Sequence, residues 1–197
     1  MRDAWYGDNR DVVKWGVLVR LADRFGAKHI LQVLYHRTTR WGLINFDDAP
    51  SAEVPKCVID HFRDCRGVAR LTAPATVEII CEPFEARETY HQLVLDRIRS
   101  RRDVPGLVFL DPDTGLQPAS PNLNHVLENE VVDIWEHLTL GDVLVLYQHQ
   151  TNRNGDPWIP AKRQQLERAL ALAPDSVHVA KADTIARDVV LFYKQKA

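Results

Sequence analysis

The sequence predicts an α/β fold in three layers: a mostly parallel sheet with helices on both faces, closed by an antiparallel strand pair. Three observations carry that prediction. Segments with apolar residues at three- and four-residue steps alternate with short apolar runs, the order of strands joined by crossing helices. Several of the apolar runs show no polar alternation, as befits strands buried on both faces. The last two strand-like runs follow each other with no helix between them, which most simply makes a hairpin.

Each element has its own signal. Residues 8–25, "DNRDVVKWGVLVRLADRF", read as an amphipathic helix with Val12, Trp15, Val19 and Ala22 on one face, widened by Leu18 and Phe25. Asp8 is its natural N-cap and Gly26 its stop. "HILQVLYH" gives a strand from His29 to Tyr35, and a second helix begins near Pro55. A strand follows at Val77–Cys81, then a helix in "EARETYHQLVLDRIRSRR" with Tyr90, Leu93, Val94 and Ile98 on one side. "GLVFL" is a buried strand, "LENEVVDIWEHL" a helix that ends before Gly141, and "DVLVLYQH" another buried strand. "WIPAKRQQLERALAL" is a helix stopped by Pro174, and "SVHVAKAD" and "RDVVLFYKQ" make the closing pair. Residues 41–55 and 117–124 are the least regular stretches and the natural places for lids or substrate contacts.

Composition narrows the function. With 197 residues, 45% hydrophobic and 26% charged, the chain reads as one globular α/β domain spanning residues 1–197. No apolar run approaches the ~20 residues that span a bilayer, and the first residues lack the apolar core of a secretion signal. A cytoplasmic protein with no membrane partner is expected; its oligomeric state is left open. Three cysteines without CxxC spacing give no disulfide framework or zinc knuckle. The net charge of -2 excludes a broadly basic nucleic-acid binder but not a local patch. Arg97, Arg99, Arg101 and Arg102 form such a cluster, for which a solvated helix end is the simpler reading.

Chemistry concentrates at strand ends, where parallel sheets collect ligands. After Leu110 comes "DPDTG", with Asp111, Asp113 and Gly115. After Leu146 come Tyr147, Gln148, His149, Gln150, Asn152 and Arg153; after Leu34 come His36, Arg37 and Arg40. Taken singly, "DPDTG" is equally an Asx-turn followed by a glycine turn, and His149 a hydrogen-bonded core histidine. If neighbouring parallel strands carry all three ends, one crevice holds carboxylates, imidazoles, amides and guanidiniums together. The N-terminal "YGDNRDVVK" is the fourth candidate. Asp8, Asp11 and Lys14 share one side of the first helical turns, so the helix start could bring them and Tyr6 to a ligand. A capping acid, a dipole-favoured acid and an exposed lysine are the plainer account.

These residues carry two resemblances. Gly7-Asp8, Asp11 and Lys14, then Asp111-Pro112-Asp113-Thr114-Gly115, then Tyr147-Gln148-His149 resemble, in that order, the "GD..D..K", "DPD-[NT]-G" and "YQH" motifs of a group of uncharacterised bacterial proteins. More distantly, the chain resembles the Rossmann-like methyltransferases that use S-adenosylmethionine, in particular the large-subunit ribosomal RNA adenine methyltransferases. Those begin with a helical segment like "GDNRDVVKWGVLVRL" and place an Asp-Pro-Pro-Tyr-type motif where "LDPDTG" stands. The resemblance implies a methyltransferase-like fold and S-adenosylmethionine as cofactor. It also implies a nucleotide or nucleic-acid substrate, with Asp111 holding the amine and the N-terminal segment closing over the cofactor. The chain departs from that pattern in two places. No glycine follows the first strand until Gly42, with His36 and Arg37 standing there instead, and Asp113 and Thr114 replace the second Pro and the aromatic.

Three mechanisms compete, of which the sequence favours an enzyme that transfers a methyl group to nucleic acid or a nucleotide. Methyl transfer needs a cofactor pocket and a group that orients the nucleophile, here Asp111 with Tyr147 or His149 nearby. A phosphodiesterase or nuclease would bind Mg²⁺ or Mn²⁺ through Asp111 and Asp113, with Asp8 as a further ligand. His149 or Lys14 would then serve as base or charge stabiliser, and Arg37, Arg40 and Arg153 would hold phosphates. The third reading is a non-catalytic module that recognises a nucleotide or a protein on a degenerate methyltransferase fold.

Overall fold

The structure is a computed structural model that describes residues 8–37, 43–45, 48, 50–62, 64–71, 75–101, 104–152 and 157–197. In chain order it contains α1 (Asn9–Phe25), β1 (His29–Val33), β2 (Leu43–Ile44), β3 (Ala52–Glu53), α2 (Lys56–Phe62), a 3-10 helix (Cys65–Arg70), β4 (Thr76–Ile80), α3 (Arg87–Arg99) and β5 (Gly106–Leu110). These are followed by β6 (Gly115–Leu116), β7 (His125–Val126), α4 (Glu128–His137), β8 (Val143–His149), α5 (Trp158–Ala169), β9 (His178–Ala182) and β10 (Ala186–Gln195).

The central sheet has the order β4-β1-β5-β8-β10-β9. β4, β1, β5 and β8 run parallel to one another, while β10 runs antiparallel to both β8 and β9. β2 pairs with β3, and β6 with β7, as two-residue ladders outside it. The mixed α/β architecture and the closing strand pair agree with the sequence expectation, and the apolar runs "GLVFL" and "VLVLY" are buried throughout.

Side-chain parity sorts the core into two layers. Leu107, Phe109, Val143, Val145 and Leu191 face α1, where they meet Val13, Trp15, Leu18 and Leu21. Val108, Leu110, Leu144 and Leu146 face the other way, onto Tyr90, Val94, Ile98, Ile134 and Leu166 of α3, α4 and α5. Each such side chain, once fully buried, contributes roughly 1.5–3 kcal/mol.

The caps of α1 are as expected. Asp8 accepts from the backbone N–H groups of Arg10 and Asp11, and Gly26 ends the helix with φ 63. Its buried face differs. Val12 is exposed and Val19 only half-buried, while Asp11 and Lys14 are buried beside Trp15 and Leu18. Counting apolar residues alone rotated the helix, because two of its charged side chains find partners inside.

The helix expected from Pro55 is split into α2 and the 3-10 turn, and the irregular stretch 41–55 contains β2 and β3. Cys81 is disulfide-bonded, against the expectation of isolated cysteines. Spacing rules detect frameworks and metal knuckles, and a single bond need follow neither pattern. No helix among the described residues is long and apolar enough to cross a membrane.

Candidate functional site

From β1 the chain turns to β4 on one side of it and later enters β5 on the other. Strand order therefore reverses between β1 and β5, a switch point beyond whose carboxyl ends open parallel sheets commonly hold ligands. β8 lies next to β5, so the three polar strand ends singled out in the sequence are neighbours.

Beneath the first turns of α1 lies an inner charged layer. Lys14 Nζ stands 2.9 Å from Asp111 Oδ1 and 3.0 Å from Asp11 Oδ1. Gln32 Nε2 donates to Asp111 Oδ2 at 2.9 Å, and the ammonium lies 4.4 Å from the centre of the Tyr147 ring. Parity explains the convergence: Gln32, Asp111 and Tyr147 all sit on the α1 face of their strands. Asp111 is wholly buried rather than open at the mouth of the crevice.

Burial alone would push the Lys14 ammonium down, but the carboxylates of Asp111 and Asp11 outweigh it and hold its pKa well up. Burial pushes the Asp111 carboxyl up, with Lys14 opposing. Burial also raises the Tyr147 phenol. A lysine held protonated is poorly suited to act as a general base.

An outer layer lies toward β10. Arg10 donates from Nη1 to Asp8 Oδ2 at 3.0 Å and from Nε to Asp188 Oδ2 at 3.2 Å. The same Asp188 oxygen lies 3.1 Å from His149 Nε2, while His149 Nδ1 faces the carbonyl of Gln150 at 3.1 Å. Burial would raise the Asp188 carboxyl, but the Arg10 guanidinium holds it below the usual carboxylate range. These groups border a cleft of about 660 Å³ lined by Asp8, Asn9, Arg10, Gln150, Arg187 and Asp188.

The "DPDTG" loop is braced from β8. Gln148 Oε1 accepts from Leu116 N at 2.9 Å, while its Nε2 donates to the carbonyls of Thr114 and His149 at 3.0 and 2.8 Å. Gly115 has φ +113, and a Cβ there would come within 2.4 Å of Gln148 Oε1. Only glycine suits both demands. Asp113 accepts from Arg37, which also donates to Asn124. The two carboxylates of the motif thus serve different partners, Asp111 inward and Asp113 outward. Among the described residues no group of three His, Cys, Asp or Glu side chains could hold a metal ion.

The turn after β1 is built without glycine. Tyr35 takes φ 48, in the left-handed region, and its N–H donates to the Tyr90 hydroxyl at 2.9 Å. The rings of Tyr35, Phe84 and Tyr90 lie 5.0–5.5 Å apart in tilted and edge-to-face contacts, each nearly inaccessible. His36 is buried, and its carbonyl accepts from Phe84 N.

The structure therefore brings Lys14, Asp11, Asp111 and Tyr147 into one layer and Asp8, His149 and Gln150 into another. Gln148 and Gly115 form the brace, Arg37 and Asp113 a separate pair, and His36 lies at the end of β1. Tyr6 and Arg153, with Gly7 and Arg40, lie outside the described residues. Sequence reasoning missed Gln32, Arg10 and Asp188. Gln32 had a signal, a lone amide inside the apolar "HILQVL". Arg10 and Asp188 had none, since their contact spans 178 residues. The sequence matches no protein-family model and no curated protein.

Proposed function

We propose that the chain is a recognition protein on a Rossmann-like, methyltransferase-like fold, binding a nucleotide or an unpaired stretch of nucleic acid in the outer cleft. The observation that carries this reading is the lining of that cleft: guanidiniums, amides and carboxylates set side by side. These are the groups that read the hydrogen-bonding edges of bases. The strand-order reversal between β1 and β5, and the antiparallel β10 seated between β8 and β9, support the fold assignment.

S-adenosylmethionine does not fit the turn after β1. The backbone amide of Tyr35 is spent on Tyr90, and the Tyr35 ring packs against Phe84 and Tyr90, in place of the open backbone of a glycine-rich turn. Methyl transfer is the second reading, favoured by Asp111 standing at the end of β5 beside the switch point.

The test is a set of thermal-shift titrations of the purified chain with a mixed-sequence single-stranded RNA, a nucleoside monophosphate, S-adenosylmethionine and Mn²⁺. A ligand of the native state raises the melting temperature by mass action. RNA or the nucleotide should do so, and Gln150→Ala should weaken the binding about tenfold, the size of one hydrogen bond. No shift with either would overturn the reading. A shift with S-adenosylmethionine would establish methyl transfer in its place, and a Mn²⁺ shift lost in Asp113→Asn would point to phosphodiester chemistry.

A further inference from the structure

At the opposite end of the sheet, far from the crevice along β1 and β5, lies a second cavity of about 320 Å³. Lys28 and His29 at the start of β1, Thr76 and Glu78 of β4, and Ser100 and Arg101 after α3 line it. Arg101 is the unusual member of the arginine cluster. Arg97 and Arg99 are about half exposed, whereas the Arg101 side chain is only 11% exposed.

Arg101 donates one hydrogen bond, from Nη2 to Asp142 Oδ2 at 3.2 Å. That carboxylate is already well supplied, by Gly106 N on Oδ1 and by Thr139 N and Oγ1 on Oδ2. Among the described residues, the buried Nε and Nη1 groups of Arg101 have no partner, and neither has His29 Nδ1. A buried cation with idle N–H groups is costly unless an acceptor meets them.

The backbone makes room for this guanidinium. A Cβ on Gly106 would stand 2.8 Å from Arg101 Nη1 and 3.1 Å from the His29 carbonyl, so only glycine lets the arginine lie over the start of β5. Among the described lining residues the one carboxylate is already engaged, Glu78 meeting Arg97 Nη1 at 3.1 Å and His29 Nε2 at 3.3 Å.

We propose that this cavity is a binding site for a small oxyanion, a phosphate or carboxylate group, held by Arg101 and His29 with Lys28 at the rim. A planar guanidinium presents paired N–H groups to such oxygens, and Thr76 and Ser100 line the same cavity, the Ser100 hydroxyl donating to the Arg97 carbonyl at 2.9 Å. The site is separate from the crevice and does not depend on the nucleotide reading.

The experiment is an NMR titration of the full chain with inorganic phosphate, with acetate, and with chloride at matched ionic strength. Phosphate or acetate should move the amide resonances of Lys28, His29, Thr76 and Arg101 while chloride does not, and the stronger of the two identifies the group. At ten times the dissociation constant the melting temperature should rise by about 3–5 °C. The Arg101→Met chain should lose the response, and Lys28→Ala should weaken it several-fold. Resonance changes elsewhere, or none beyond those in chloride, would overturn the proposal; the wild-type titration decides this even if Arg101→Met does not fold.

Discussion

Two charged triads stand one helical turn apart on α1, and they are built alike. In each, a cation on the helix lies between an earlier acid of the same turn and an acid from the sheet: Lys14 between Asp11 and Asp111, Arg10 between Asp8 and Asp188. Their solvation differs. The inner triad is 0–11% exposed in its side chains, the outer one 28–38%. The inner triad lacks the screening of water, so its charges depend on one another and fix how α1 sits on the sheet. The outer triad keeps access to water, and therefore to a ligand. The same arrangement, one cation between two acids, is thus sealed into the framework in one place and, in the proposed reading, open to a ligand in the other.

The largest expected effect is on the inner triad. Lys14→Ala should destabilise the chain by about 3–5 kcal/mol in urea denaturation, because it leaves Asp111 buried without its cation. If the loss were under ~1 kcal/mol, the triads would not differ in kind. The double variant Lys14→Met, Asp111→Leu should recover part of the loss, since it removes the buried Asp111 charge while taking Lys14 from Asp11 and the acceptor from Gln32 Nε2.

Alkaline titration sharpens the contrast next. The pKa of Lys14 is raised in the folded state, so its stabilisation is complete below its unfolded value and is lost as pH rises through the folded one. Tyr147, also raised, acts in the same sense, because its phenol ionises more readily once unfolded. The melting temperature should fall steeply above about pH 10, less so in the Lys14→Met, Asp111→Leu double variant. An identical alkaline limb in both proteins would separate this loss from the inner triad.

The smallest expected effect is on the outer triad. Arg10→Ala should cost about 0.2–1 kcal/mol in the same denaturation, with part of that loss removed by salt. If Arg10→Ala proved as damaging as Lys14→Ala, the outer cleft would be part of the framework rather than a place for a ligand.

Much of the fold was legible because its signals are local. The caps Asp8 and Gly26, the apolar runs of β5 and β8 and the closing hairpin follow from neighbours in sequence. The site was legible as a set of strand ends, and the motif residues Asp111, Gly115, Gln148 and His149 do occupy those ends. Their roles were not. Gln148 and Gly115 are fitted to each other, a relation that neither residue type announces alone. Lys14 reads as an exposed helical lysine until Asp111 comes to lie beneath it.

By itself the sequence determined the main helices and the strands of the central sheet, that the runs of β5 and β8 are buried, and that polar residues gather where strands end. Periodicity, capping and the preference of apolar side chains for the interior act over a few residues, so they are written locally. Only the tertiary structure decided that β1, β5 and β8 lie side by side, that Gln32 reaches Asp111 across 79 residues, and that Asp188 meets Arg10. Those choices depend on which faces pack together and on which charges lose their water, and both are properties of the assembled core.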